Sequence, residues 1–108
     1  MNRLHLGEFE HIVLLAVLRL RTRAYAPAIL EEIEARTGRA PSQGAMYVTL
    51  DRLEEKRLLR SRIADANDER GGRPRRYVAV TALGLRQLRA SRATFVSLWH
   101  GLEAILES

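Results

Sequence analysis

Apolar residues crowd the stretch from Leu6 to Leu20, at Phe9, Ile12, Val13, Leu14, Leu15, Ala16, Val17, Leu18 and Leu20. One helical stripe needs fewer, so the pattern predicts a first helix buried nearly all round. Polar Glu8, Glu10 and His11 cluster in its first turn, where acids suit the positive end of the helix dipole. The basic run Arg19, Arg21, Thr22, Arg23 closes it. A second helix is expected from about Ala26, with Pro27 in its first turn, where a missing N–H costs little, to Gly38. Ala28, Ile29, Leu30 and Ile33 supply its core face, and Glu31, Glu32 and Glu34 its wet face. Ser42 is a good N-cap for a third helix from about Gln43 to Lys56. Met46, Leu50 and Leu53 recur there at steps of four and three as the buried stripe. Gln43, Tyr47, Thr49, Asp51 and Arg52 are left for the other face.

The period then changes. Leu59 to Ile63 alternates apolar and basic residues as a half-exposed strand does, and Tyr77 to Val80 suits its partner. Between them Ala64 to Arg76 is polar, with Gly71, Gly72 and Pro74 as turn residues, so a hairpin with a long loop is expected. From Thr81 the chain turns helical again to its end. Leu85, Leu88, Arg92, Phe95, Trp99, Leu102 and Leu106 recur at alternating steps of three and four, a heptad seam with one arginine interruption. A chain this small has no core left for such a helix to cover, so the seam is expected to pack on another subunit.

Length and charge sharpen this picture. With 108 residues there is one domain, because a second would need roughly 100 of its own. Cysteine is absent, which excludes disulfides, thiolate catalysis and cysteine-based metal sites. His5 and His11 fall on different faces of any helix and His100 is distant, so neither a metal nor another cofactor is expected. No apolar run approaches the roughly 20 residues of a membrane span, and the expectation is a cytoplasmic protein. The net charge is +5, and its distribution is uneven. Residues 1–55 hold 7 arginines against 8 acids, residues 56–92 hold 11 bases against 3 acids, and residues 93–108 carry only 2 acids. A basic third made almost wholly of arginine suits a polyanion, because the planar guanidinium matches phosphates and guanine edges. A solvated arginine-rich surface is the plain alternative.

Three helices followed by a hairpin with a basic loop is the order of a winged helix-turn-helix, whose third helix enters the DNA major groove. The fold class expected is therefore mainly α with a small β-hairpin. The winged helix spans residues 1–80, and a dimerisation helix spans 81–108 within the same domain. Ser42, Gln43 and Gly44 open the third helix with small and polar groups, so that its N-terminus can approach a phosphate. Tyr47, Thr49 and Arg52 follow on the exposed side as base readers. Tyr47 could instead be an aromatic at the core edge, and Arg52 could pair with Glu55. At the wing, Arg73, Arg75 and Arg76 would reach along phosphates or into the minor groove, or else pair with Asp65, Asp68 or Glu69. The glycine-rich loop lacks the Gly-Lys-Ser/Thr ending of a nucleotide-binding loop. No nucleophile, base and orienting acid form a set, so an enzyme is not expected. A winged helix that only binds proteins is the competing class, but it has little use for so concentrated a charge. An RNA reader would need interleaved exposed aromatics that are missing.

Gly7-Glu8-Phe9-Glu10, Ala24-Tyr25, Ala28-Ile29-Leu30, the run from Gly44 to Glu54 and Gly71-Gly72-Arg73-Pro74-Arg75-Arg76-Tyr77 together resemble the PadR family of bacterial transcriptional regulators. The resemblance runs from Leu6 to about Leu88. It implies a dimeric winged helix regulator of double-stranded DNA that usually represses, of the short branch with one terminal dimerisation helix. Such a homodimer would prefer an inverted-repeat operator. Leu85, Leu88, Phe95, Trp99, Leu102 and Leu106 would form the dimer seam. Phe95 and Trp99 would line a pocket for a small planar aromatic effector, as in some relatives, with simple packing as the alternative role for the tryptophan. Three departures stand out. Met46 replaces a usual leucine with little change of volume. Val48 sits where relatives are more often polar or basic, which puts a DNA contact there in doubt. Arg57 replaces the usual glycine after the third helix, so another cap is expected at that end.

Overall fold

A computed structural model describes residues 6–64 and 74–108. Its elements are α1 (Glu8–Leu20), a 3₁₀ turn (Arg21–Arg23), α2 (Ala26–Thr37), α3 (Gln43–Glu55), β1 (Leu59–Ala64), β2 (Arg75–Val80), α4 (Ala82–Trp99) and α5 (Glu103–Glu107). The architecture is a three-helix cluster flanked by an antiparallel hairpin, with α4 leaning on α1 and β2. The core gathers Val13, Leu14 and Val17 of α1, Ile29 and Ile33 of α2, Met46, Leu50 and Leu53 of α3, and Leu58, Leu59 and Val78 of the hairpin.

The expected all-round burial of α1 does not hold. Val13, Leu14, Ala16 and Val17 are buried, but Leu15 is 45% exposed and Leu18 is exposed beside it. Within one chain α2, α3 and the hairpin cover a single side of α1, and the second apolar side faces outward. Glu10 is the opposite surprise. Expected among the polar residues of the first turn, it is only 6% exposed. Its Oε1 accepts the Gly7 N–H at 2.9 Å, and the Lys56 Nζ donates to its two oxygens at 2.9 and 2.8 Å. Burial works against the Glu10 charge, but the Lys56 ammonium and the Gly7 N–H outweigh it and hold the carboxyl below its ordinary range. The only lysine of the chain thus ties the end of α3 to the start of α1.

Helix ends follow local chemistry. Ser42 Oγ accepts the Ala45 N–H at 3.0 Å and caps α3. At its other end, Arg57 N–H donates to Glu54 O and Leu58 N–H to Leu53 O, both at 2.9 Å. That is a Schellman motif, with its hydrophobic contact supplied by the buried Leu53 and Leu58. The expectation of a different cap is corrected: Arg57 itself takes the left-handed conformation, φ 64°. The cross-bonds and the burial of Leu58 hold it there at some steric cost.

In the hairpin Leu59 pairs with Val80 and Ala64 with Arg75. Both strands are longer than the alternation suggests, and Arg75 and Arg76 belong to β2 rather than to the loop. The outer edge of β2 is anchored by the Val78 N–H on Ala24 O at 2.9 Å. Thr81 then starts α4. Its hydroxyl accepts the Gly84 N–H at 3.0 Å and donates to Arg57 O at 2.7 Å, while its N–H reaches Leu58 O at 3.0 Å. Gly84 is buried against this junction.

The terminal helix does not run unbroken to the end. It stops at Trp99, turns through Gly101 at φ 86°, and resumes as the short α5. Glycine takes that conformation at no steric cost, and Glu103 Oε1 accepts the Gly101 N–H at 3.0 Å. Leu102 and Leu106 therefore do not continue the straight seam of Leu85 to Trp99. Leu88, expected in that seam, is buried in the protomer's own core, whereas Phe95, Val96, Leu98 and Trp99 are exposed. His11 Nδ1 lies 3.3 Å from Ser91 Oγ, linking α1 to α4.

Candidate nucleic-acid interface

The N-terminal half of α3 lies open. Ser42, Gln43, Gly44, Tyr47, Val48, Asp51 and Arg52 are exposed along one side. Thr49 is not among them: it is 6% exposed and belongs to the buried face. The reason is its spacing, since it lies three residues after Met46 and four before Leu53 and so completes the core stripe. That signal was available in the sequence. Val48 takes the outward place, 55% exposed. Arg52 makes no ion pair with Glu55 among the described residues.

The wing arginines divide into different roles. Arg76 turns back onto α3, where its guanidinium meets Asp51 at 3.1 Å and Glu54 at 2.7 Å. Ser61 on β1 donates to the same Glu54 carboxylate at 3.0 and 2.9 Å. The Arg76 and Ser61 hydrogen bonds hold the Glu54 carboxyl below its ordinary range. These bonds join both strands of the hairpin to the third helix. Arg76, expected to reach for phosphate, is instead the link that sets the wing's position against α3. Its expected acidic partners in the loop, Asp65, Asp68 and Glu69, lie outside the described residues, as does Arg73.

Arg75 points to the other side of β2. Its guanidinium lies 4.1 Å from the centre of the Tyr25 ring, Tyr25 lies 5.6 Å from Tyr77, and Arg62 lies 4.7 Å over Tyr77. The four side chains form an alternating ladder of cation, ring, ring and cation, which braces the hairpin against the start of α2. Sequence reasoning missed it. Arg62 and Tyr77 are cross-strand partners, but Tyr25 comes from a distant segment whose arrival no local pattern announces. A cleft of about 290 Å³ opens where these parts meet, lined by Tyr25, Pro27, Tyr47, Pro74, Arg75 and Arg76. Exposed helix face, cleft and hairpin thus share one side of the molecule.

The arrangement matches a known family. The model of the transcriptional regulator PadR-like family matches residues 14–90. The chain belongs to the PadR-like family of transcriptional regulators. A PadR family regulator from Eggerthella lenta is 32% identical, with 94% of this chain and 88% of that one covered at a TM-score of 0.66. A PadR-like regulator from Bacillus cereus shares the fold at 18% identity, with a TM-score of 0.74 and 93% and 92% of the two chains covered. So does F93 from STIV, a winged-helix DNA-binding protein, at 20% identity and a TM-score of 0.66 over 82% and 87% of the chains. No curated protein matches the chain. Membership makes this a winged helix transcriptional regulator, a class distinct from enzymes. Among the described residues no helix is long and apolar enough to cross a membrane.

Proposed function

We propose that this PadR-like regulator is a sequence-specific DNA-binding repressor that acts as a homodimer on an inverted-repeat operator. The observation that carries the reading is the open face of α3, held in fixed relation to the wing through Arg76, Asp51 and Glu54. Gln43, Tyr47 and Arg52 read base edges, Val48 meets a thymine methyl, and Ser42 with the N-terminus of α3 approaches a phosphate. Arg73 and Arg75 serve the backbone. Thr49 leaves the set because it is buried, and Arg76 becomes a positioning residue. Repression is carried over from the resemblance, and an operator bound across a promoter would act by occlusion.

Dimerisation is supported by the apolar groove between α1 and α4, which includes Leu15, Leu18, Leu85, Phe95, Val96 and Trp99. A two-fold axis there would close the groove and set the spacing of two recognition helices. The same groove, of about 490 Å³, would accept a planar aromatic effector that shifts the protein between two dimer geometries.

Selection of bound genomic fragments followed by footprinting supplies the operator. On it, Tyr47→Ala and Arg52→Ala should change preference among base variants by about 1–3 kcal/mol. Arg75→Ala should weaken binding to every sequence and lower the salt dependence by about one ion. Equal losses on operator and random DNA for the two α3 variants would refute base reading. Absence of any DNA binding would favour a protein-interaction module.

A further inference from the structure

A second apolar groove lies on the outer side of α1, against α2. Ile12, Leu15, Leu18 and Ile33 line its floor, and Arg19, Glu32 and Arg36 its rim, around a volume of about 450 Å³. The segment best matched to it is at the other end of the chain. Every residue of α5 is exposed, including Ile105 at 68%. Leu102, Ile105 and Leu106 are spaced as one helical face, and Glu103 and Glu107 as another. A five-residue helix is far below the roughly 12–15 residues that hold a helix in water without tertiary contacts. Such a segment calls for a surface to dock on, and its own protomer does not cover it.

We propose that α5 of one copy docks in the α1–α2 groove of a second copy. The proposal rests on the homodimer reading and names a contact beyond its α1–α4 seam. Three observations carry it. The apolar face of α5 fits an apolar floor. Arg19 and Arg36 lie 3.4 and 2.7 Å from the same Glu32 carboxylate, which leaves the rim one positive charge in excess, and α5 brings two acids and no base. Leu15 and Leu18 line both this groove and the α1–α4 groove. A partner chain leaving the seam at Trp99 and turning at Gly101 therefore passes onto α1 over continuous apolar surface.

The absence of cysteine from the chain makes the test clean. A tagged Thr37→Cys chain, whose residue sits on the groove, is mixed with an untagged Leu106→Cys chain and oxidised. The expected result is a mixed disulfide dimer as the dominant covalent product, reduced at least fivefold when Arg19→Glu and Arg36→Glu are added to the tagged chain. In sedimentation, Ile105→Asp should raise the dimer dissociation constant at least about tenfold, since one buried aliphatic side chain is lost per contact. A wild-type dimer that gives no mixed disulfide and is indifferent to Ile105→Asp overturns the docking and leaves the dimer reading intact. In a chain carrying both cysteines, a disulfide-closed monomer as the main product also overturns it, because α5 would then dock in its own chain. A wild-type protein that stays monomeric at high micromolar concentration removes both readings.

Discussion

Gly84 offers the sharpest test of how α4 is seated. A Cβ added there would lie 2.5 Å from Leu58 O and 2.7 Å from Val80 Cγ1. Contacts below 3.0 Å force a displacement, so α4 and the Leu58 carbonyl would have to separate by at least about 0.5 Å. The carbonyl has little room to yield, because it accepts the Thr81 N–H at 3.0 Å and precedes β1. Helix propensity alone favours alanine over glycine by about 1 kcal/mol. Overpacking at a tight junction costs typically about 1–3 kcal/mol, and here it opposes that gain against backbone, where no side chain can rotate away. Gly84→Ala should therefore be destabilising by about 1–2 kcal/mol net. For a chain this size that is a fall in Tm of roughly 4–15 °C. Gly44→Ala is the internal control, since a Cβ there meets nothing within 4 Å and should stabilise by about 0.5–1 kcal/mol. Both are read by urea and thermal unfolding at one fixed protein concentration, because dimerisation couples to Tm. Stabilisation by Gly84→Ala would refute the argument that α4 is seated by backbone contact.

Arg57→Gly should raise stability by about 0.5–1 kcal/mol in urea unfolding, because it relieves the left-handed arginine that ends α3 while keeping the Schellman bonds. Acid should weaken the fold through Glu10 and Glu54. Both carboxyls are lowered in the folded state, so their contribution is complete above the ordinary value of 4.5 and is lost as pH falls through their folded pKa values. Urea midpoints should thus decline below about pH 4.5, and Glu10→Gln should flatten that decline. Thr49→Ala should reduce stability by roughly 1 kcal/mol and leave the order of preference among operator variants unchanged. Arg52→Ala should do the reverse, and competition binding on a panel of single-base variants separates the two.

Much of the fold was legible because its signals are local. The stripe of Met46, Leu50 and Leu53, the Ser42 cap, the alternation from Leu59 and the stop at Gly38 each depend on neighbours within a turn or two of chain. The concentration of arginine in residues 56–92 was equally legible, and with the motifs of α3 and the wing it identified the family. Tertiary structure decided what each charge is for. Arg76 and Lys56 count alike in the basic third, yet one clamps Asp51 and Glu54 and the other holds Glu10. Those partners lie 22 to 46 residues away in sequence, beyond the reach of any local period. The Arg75–Tyr25–Tyr77–Arg62 ladder arises the same way, from a hairpin register meeting the start of α2. Helix faces were partly a tertiary matter as well. Periodicity says that α1 and α4 are apolar on more than one side. Only the packing of one protomer shows that Leu88 is used within the chain, while Leu15, Leu18, Phe95 and Trp99 are left outside. Burial depends on which surfaces the chain brings together, and a sequence specifies the surfaces before it specifies their partners.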